Sequence, residues 1–117
     1  MDFWDITDID PGPSRPVVVH SRDGVARIVA INLPAGDALD EHQVHEHAWL
    51  HVLEGRVELA DDGGTTTAGP GSLAHWEPGE RHAVRALEDA KIFLMLAPWP
   101  GQGHPRLMAA ARASGEA

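Results

Sequence analysis

The chain has 117 residues, no cysteine and a formal net charge of −9 with its histidines neutral. This length predicts one domain that can bury its own core. The lack of cysteine excludes both a disulfide framework and a thiolate metal site. Because no basic patch offsets the negative charge, the sequence predicts neither nucleic acid nor a membrane as a partner.

The N-terminal segment MDFWDITDID is acidic and has no apolar run, so it lacks the pattern of a signal peptide. The longest apolar run, residues 92–100, is far too short to span a membrane. With the absence of cysteine, these features predict a cytoplasmic protein. Residues 1–24 are predicted to form an N-terminal arm and a first strand.

Short apolar segments separated by Gly, Pro and Asp follow along the rest of the chain. The predicted strands are residues 14–20, 24–33, 48–53, 56–60, 72–76, 82–87 and 91–97. Gly63-Gly64 is predicted to form a hairpin turn. Strands at this spacing predict an all-β sandwich or barrel, and no helix-period segment supports a βαβ fold. Residues 25–97 are the predicted barrel, and residues 98–117 a loop with a short alanine-rich helix at 107–114.

Histidine is concentrated in one segment of the chain. Four of the eight histidines, His42, His45, His47 and His51, lie in the run DEHQVHEHAWLHVLEG, and His82 follows the turn EPGE. Imidazole is the commonest protein ligand for divalent transition metals, and it also titrates near neutral pH. The density predicts a pocket with metal or acid–base chemistry.

Two stretches resemble the sequence motifs of the cupin superfamily, and they occur in the family's order. The first motif would run from Gly36 to Gly55, with the separation that the family pattern requires. The second would begin at Gly71, with Gly79 and His82 in register. The resemblance covers roughly residues 25–97. It implies a cupin jelly-roll barrel, a divalent-metal site in many members, and a homodimer.

The metal-binding positions of these motifs are only partly filled. When the first motif is laid without gaps, its first histidine falls on His42, its second on Val44 and its glutamate on Ala48. His82 occupies the last histidine position of the second motif. Only two ligands of the usual four are therefore present in this alignment.

A second alignment recovers more ligands. His45, His47 and His51 form the spacing His-x-His-x3-His, and His82 adds a fourth imidazole. This alignment requires a three-residue shift relative to Gly55, and therefore a bulge or a shortened strand.

Strand geometry separates the histidines by face. On an unbroken strand His42 and Glu46 share the apolar face that would line the barrel, whereas His45, His47 and His51 share the other. A one-residue bulge between positions 43 and 47 would reverse the assignment on one side of it. The sequence leaves both arrangements open.

We therefore predict metal ligands among His42, His45, His47 and His82, with Glu46 as a general base. The ion would be Zn, Ni, Fe or Mn, and the metal would act on a small-molecule ligand as in an oxygenase or isomerase. Two alternatives remain. One is a non-catalytic, ligand-binding cupin with an incomplete metal set, and the other is a metal-independent isomerase that uses a His/Glu acid–base pair.

Overall fold

The computed structural model describes residues 1–13, 15–42 and 44–105, and the side chains of residues 40–42 lie outside this description. The helix predicted at 107–114 falls outside the described residues. Within the described part of the chain, no helix is long and apolar enough to cross a membrane.

In the described part of the chain, nine strands follow one short 3-10 turn, and this confirms the all-β prediction. The turn is Ile6–Asp8. The strands are β1 Val17–Arg22, β2 Ala26–Leu33, β3 Ala38–His42, β4 His47–Glu54, β5 Val57–Asp61, β6 Gly64–Ala68, β7 Leu73–Trp76, β8 His82–Ala86 and β9 Ala90–Ala97.

The strands form two antiparallel sheets that pack face to face. One has five strands in the order β1-β2-β9-β4-β7, and the other has four in the order β3-β8-β5-β6. In β4 the burial alternates along the strand, so Ala48, Leu50 and Val52 point into the core between the sheets. His47, Trp49 and His51 alternate with them and therefore lie on the outer face of the five-stranded sheet.

The chain changes sheets between β3 and β4. β3 ends at His42 in the four-stranded sheet, and β4 begins at His47 in the five-stranded sheet. The described residues between them, 44–46, form a bend. The segment 42–51 is therefore not one unbroken strand, and side-chain alternation cannot be carried across it from His42. A register irregularity does occur, but it lies within β3, between Leu39 and His42.

The N-terminal arm lies against its own barrel. Asp5 caps the 3-10 turn by accepting hydrogen bonds from the backbone and the hydroxyl of Thr7. These bonds favour the charged carboxylate and lower the pKa of Asp5 below its usual value. Lys91 Nζ on β9 donates to the Thr7 carbonyl at 3.3 Å, and Asn32 on β2 donates to Asp10 at 2.8 Å.

Candidate metal centre and barrel mouth

A cluster of three potential ligands lies on the outer face of the five-stranded sheet. His47 is the first residue of β4, His75 lies on β7, and Glu77 follows the end of β7. The register pairs Trp49 with His75, which makes His47 a diagonal neighbour of His75. His75 and Glu77 are two residues apart, so an extended chain projects both toward the same face. We call His47, His75 and Glu77 the outer triad.

The donor atoms of the outer triad are spaced for one metal ion. His47 Nδ1 lies 2.9 Å from His75 Nε2 and 3.5 Å from Glu77 Oε2, and the three donor atoms all lie within 4.8 Å of one another. Zn–N and Zn–O bonds of about 2.1 Å in a tetrahedral site separate neighbouring donors by about 3.4 Å. The observed distances of 2.9 and 3.5 Å lie on either side of this value, so the side chains can bind an ion with little movement.

An indole supports the two imidazoles. The Trp49 ring lies 5.6 Å from that of His47 and 5.0 Å from that of His75, and the two imidazoles stack at 5.1 Å with 19° between their planes. The side chain of His47 is 37% exposed and that of Glu77 67% exposed. The indole thus packs against both rings, while the side chains of His47 and Glu77 remain partly exposed to solvent.

Two of the predicted site residues contact the C-terminal loop instead. Glu46 is 1% exposed, and its carboxylate accepts a hydrogen bond of 2.6 Å from the backbone N–H of Gly101. His45 is exposed, and its ring lies 5.6 Å from that of His104. A Cβ at Gly101 would collide with the His45 carbonyl oxygen, so the loop needs glycine to pass this close. These contacts hold the C-terminal loop against one end of the barrel. We call this end, where Glu46 and His45 meet Gly101 and His104, the barrel mouth.

His82 lies inside the barrel. Its ring is buried and stacks on Trp76 with 4.3 Å between ring centroids and 13° between planes. Its Nδ1 lies 3.2 Å from the Glu80 carbonyl oxygen. The strand register pairs His82 with His42, whose side chain lies outside the described residues.

The described members of the predicted ligand set are therefore distributed over three places. His47 belongs to the outer triad, His45 to the exposed end of the barrel, and His82 to the interior. The interior positions where the motif expects a histidine and a glutamate hold Val44, which packs against the core, and the fully buried Ala48. Neither side chain can bind a metal.

The ligand set predicted from the sequence did not include His75 and Glu77. The alternation of His75 with the buried Trp76 could have placed His75 on an outer face together with Glu77. The pairing of β7 with β4 could not be foreseen, because β5 and β6 intervene along the chain. Without that pairing nothing connects His75 to His47, which lies 28 residues away in sequence.

A comparison with known protein families supports what the strand order and the two glycine-bounded motifs indicate. The sequence model of the cupin domain matches residues 29–97. The chain belongs to the cupin family. This confirms the resemblance found in the sequence. No curated protein gives a significant match.

Solved structures support the same fold for this cupin. An RmlC-like cupin from Desulfovibrio desulfuricans is 30% identical, with a TM-score of 0.64 over 72% of this chain and 83% of that one. An RmlC-like cupin from Methanocaldococcus jannaschii is 18% identical, with a TM-score of 0.67 over 80% and 89%. The cupin domain of Schizosaccharomyces pombe Cnp3 is 9% identical, with a TM-score of 0.73 over 98% and 81%. The last two likenesses concern the fold alone.

Proposed function

We propose that this cupin binds one divalent transition metal through His47, His75 and Glu77 and uses it to bind a small molecule. The observation that carries the proposal is the approach of the three donor atoms to within 4.8 Å of one another. Two imidazoles and one carboxylate suit Zn, Ni, Fe and Mn. Because His47 and Glu77 are open to solvent, the remaining coordination positions are accessible to a ligand.

The chain's own residues position the site. Trp49 packs against both imidazoles and restricts their rotation, which lowers the entropy lost when an ion binds. His47 Nδ1 and His75 Nε2 share a hydrogen bond, which requires that one of these nitrogens lacks a proton, as a metal ligand also must. A bound ion would supply Lewis acidity toward a carbonyl, carboxylate or water.

Metal analysis of the purified protein tests the proposal. We expect about one divalent ion per chain after reconstitution, and its loss in His75→Ala and in His47→Ala, since either change removes one of three ligands. The matched control is His51→Ala, because His51 lies on the same face of β4 but outside the triad. Retention of metal by His75→Ala, or no metal in the wild type, would contradict the proposal.

A double variant addresses His42 and His82, the two histidines that the gapless motif alignment predicted as ligands. His42→Ala with His82→Ala should leave the metal content unchanged if the outer triad is the site. Loss of metal in this variant, with retention in His75→Ala, would assign the ion to the barrel interior instead.

A metal-independent, ligand-binding cupin is the second candidate function. It is favoured by Val44 and Ala48, which leave the interior without two donors, and by the stacking of Trp76 on His82. An isomerase that uses Glu46 as its base is less favoured, because that carboxylate accepts from Gly101. Ligand binding that persists in metal-free protein and in His75→Ala would support this second function.

We also propose that the protein is a cytoplasmic homodimer. The outer face of the five-stranded sheet carries an apolar groove of about 420 Å³, and its lining includes Ile28, Trp49, Phe93, Met95 and the largely exposed Leu73. A second copy of the chain would bury this apolar surface, and removing it from water would stabilise the dimer. Light scattering should give twice the chain mass for the wild type, and Leu73→Asp should shift it toward the monomer. A wild-type monomer at all concentrations would exclude the dimer.

A further inference from the structure

Arg27 lies near the N-terminal end of β2, at the barrel mouth. The strand pairs with β9 without irregularity from Arg27 to Leu33, so alternate residues share one face. Ile31 and Leu33 belong to the buried core, and Val29 packs against it. Arg27 continues this row, and the core-facing row therefore ends in a guanidinium that carries a permanent positive charge.

Trp99 covers this guanidinium from the C-terminal loop. The Arg27 Cζ lies 4.6 Å from the centre of the Trp99 ring, and Trp99 is only 6% exposed. Two backbone contacts hold the loop at this place. The Gly24 N–H donates to the Trp99 carbonyl at 2.6 Å, and the Gly101 N–H donates to the buried carboxylate of Glu46.

Each side chain of this contact has a buried N–H group that lacks an acceptor among the described residues. Arg27 Nε and Trp99 Nε1 are both buried, and neither has a hydrogen-bond partner within the described part of the chain. Buried N–H groups are nearly always paired, since an unpaired donor loses its bonds to water and gains nothing in return. The stacking of the guanidinium on the indole compensates the charge but not the two N–H groups.

No acidic side chain of the described residues neutralises Arg27 through an ion pair. Their ion pairs include those of His47 with Glu77 and of Arg85 with Glu58. This is notable in a chain with twice as many acidic residues as lysines and arginines, 18 against 9. The nearby carboxylate of Glu46 is engaged by Gly101. The guanidinium therefore keeps its capacity to bind an anion.

We infer that Arg27 and Trp99 form a binding site for the carboxylate group of a small molecule at the barrel mouth. A carboxylate can accept from Nε and a terminal nitrogen of one guanidinium side by side, and it can share the indole N–H. The net charge of −9 disfavours a dianion such as phosphate more strongly than a monoanion. The site shares no residue with the outer triad and does not depend on a bound metal.

The residues beside Arg27 indicate what the rest of the ligand contacts. Across the five-stranded sheet, Arg27 pairs with Leu96, Leu96 with Ala48, and Ala48 with Trp76. Leu96, Ala48 and Trp76 are buried core residues, so the strand next to the charged Arg27 already presents an apolar side chain. A carboxylate attached to an apolar body, as in an aromatic acid, matches this row better than acetate does.

NMR of the indole N–H groups tests the inference directly. The chain has four tryptophans, and Trp99→Phe identifies the Trp99 resonance while preserving an aromatic ring over Arg27. Benzoate, acetate and chloride are titrated into metal-free protein. We expect a saturable downfield shift of the Trp99 N–H with benzoate, a weaker response to acetate and none to chloride.

Two arginine variants complete the test. Arg27→Gln should weaken benzoate binding by about tenfold or more, because the charge-assisted bonds are lost. The control is Arg85→Gln, since Arg85 is exposed and paired with Glu58, and it should bind benzoate as the wild type does. If Arg27→Gln does not fold, Arg27→Lys keeps the charge but removes Nε, and it should also weaken binding. No saturable shift in the wild type, or an undiminished shift in a folded Arg27 variant, would overturn the inference.

Discussion

The Nδ1 of His47 and the Nε2 of His75 lie 2.9 Å apart on neighbouring strands of the five-stranded sheet. This contact exists because β7 pairs with β4 in a register that sets His75 opposite Trp49. The adjacent Glu77 adds a carboxylate. The contact thus joins two surface histidines into the centre of the proposed metal site, which lies outside the barrel rather than within it.

Trp49 should report on metal binding at the outer triad. Ni²⁺ has an open d shell and quenches a nearby indole, whereas Zn²⁺ has a filled shell and should bind without strong quenching. We expect saturable quenching of tryptophan fluorescence by Ni²⁺ and its reversal by excess Zn²⁺. Trp49→Phe should remove most of it, because this indole lies 5.0 Å from the His75 ring.

The control for this measurement is Trp4→Phe. Trp4 contacts His20 on the N-terminal side of the molecule and no member of the triad. Its replacement should leave the Ni²⁺ titration unchanged in midpoint. Quenching that survives in Trp49→Phe would mean that the ion binds near another tryptophan.

The sequence predicted most of the fold because apolar strands and turn residues are local signals. Two strands were missed for physical reasons. β6, Gly64–Ala68, is largely exposed and consists mainly of threonine, so it lacks an apolar pattern. β3, Ala38–His42, is short and carries acidic residues. The predicted hairpin at Gly63-Gly64 was nearly right, since the register closes at Asp61 and Gly64.

The site was harder to predict than the fold. The alternation along β4 was correct, and it placed His47 and His51 on the outer face. Its extension to His42 stays a prediction, because the chain crosses from one sheet to the other between His42 and His47 and the side chain of His42 lies outside the described residues. The partners of His47 come from β7, and that pairing depends on the whole topology rather than on any local motif.

Glu46→Gln should destabilise the protein. The buried carboxylate accepts a short hydrogen bond from the Gly101 N–H, and the amide would weaken this bond and add N–H donors in a buried place. A loss of about 1–3 kcal/mol is the usual cost of such a change. Urea unfolding measures it, with Glu54→Gln as an exposed control at the end of β4, the strand that follows Glu46. Equal stabilities of the two variants would contradict the role assigned to Glu46.

The pKa of the Asp5 carboxyl group should lie below the usual value for aspartate, because its charged form accepts two hydrogen bonds from Thr7. A lowered pKa in the folded state stabilises the cap above the unfolded value, and this contribution disappears as the pH falls through the folded pKa. NMR titration of the Asp5 carboxyl group should show the lowered pKa, and the Thr7 amide resonance should show the loss of the cap at the same pH. Thr7→Ala should raise the pKa of Asp5, since it removes the largest cause of the shift. An unchanged value in that variant would exclude the hydroxyl as the cause.

Two glycine variants should separate steric contact from backbone freedom in the C-terminal loop. A Cβ at Gly101 would overlap the carbonyl group of His45, whereas a Cβ at Gly69 would meet no atom within 4 Å. Neither glycine needs a left-handed backbone, so only the contact differs between them. Gly101→Ala should therefore cost about 1–3 kcal/mol, as overpacking does, and Gly69→Ala should be neutral or slightly stabilising.

The same pair of variants also tests whether the loop covers the barrel mouth. In Gly101→Ala the loop must move away from Glu46, so the Trp99 ring should separate from Arg27 and the Trp99 indole N–H should exchange with solvent faster. Gly69→Ala should leave that exchange rate unchanged. If both variants unfold at the same urea concentration as the wild type, the close packing of Gly101 on His45 does not contribute to stability.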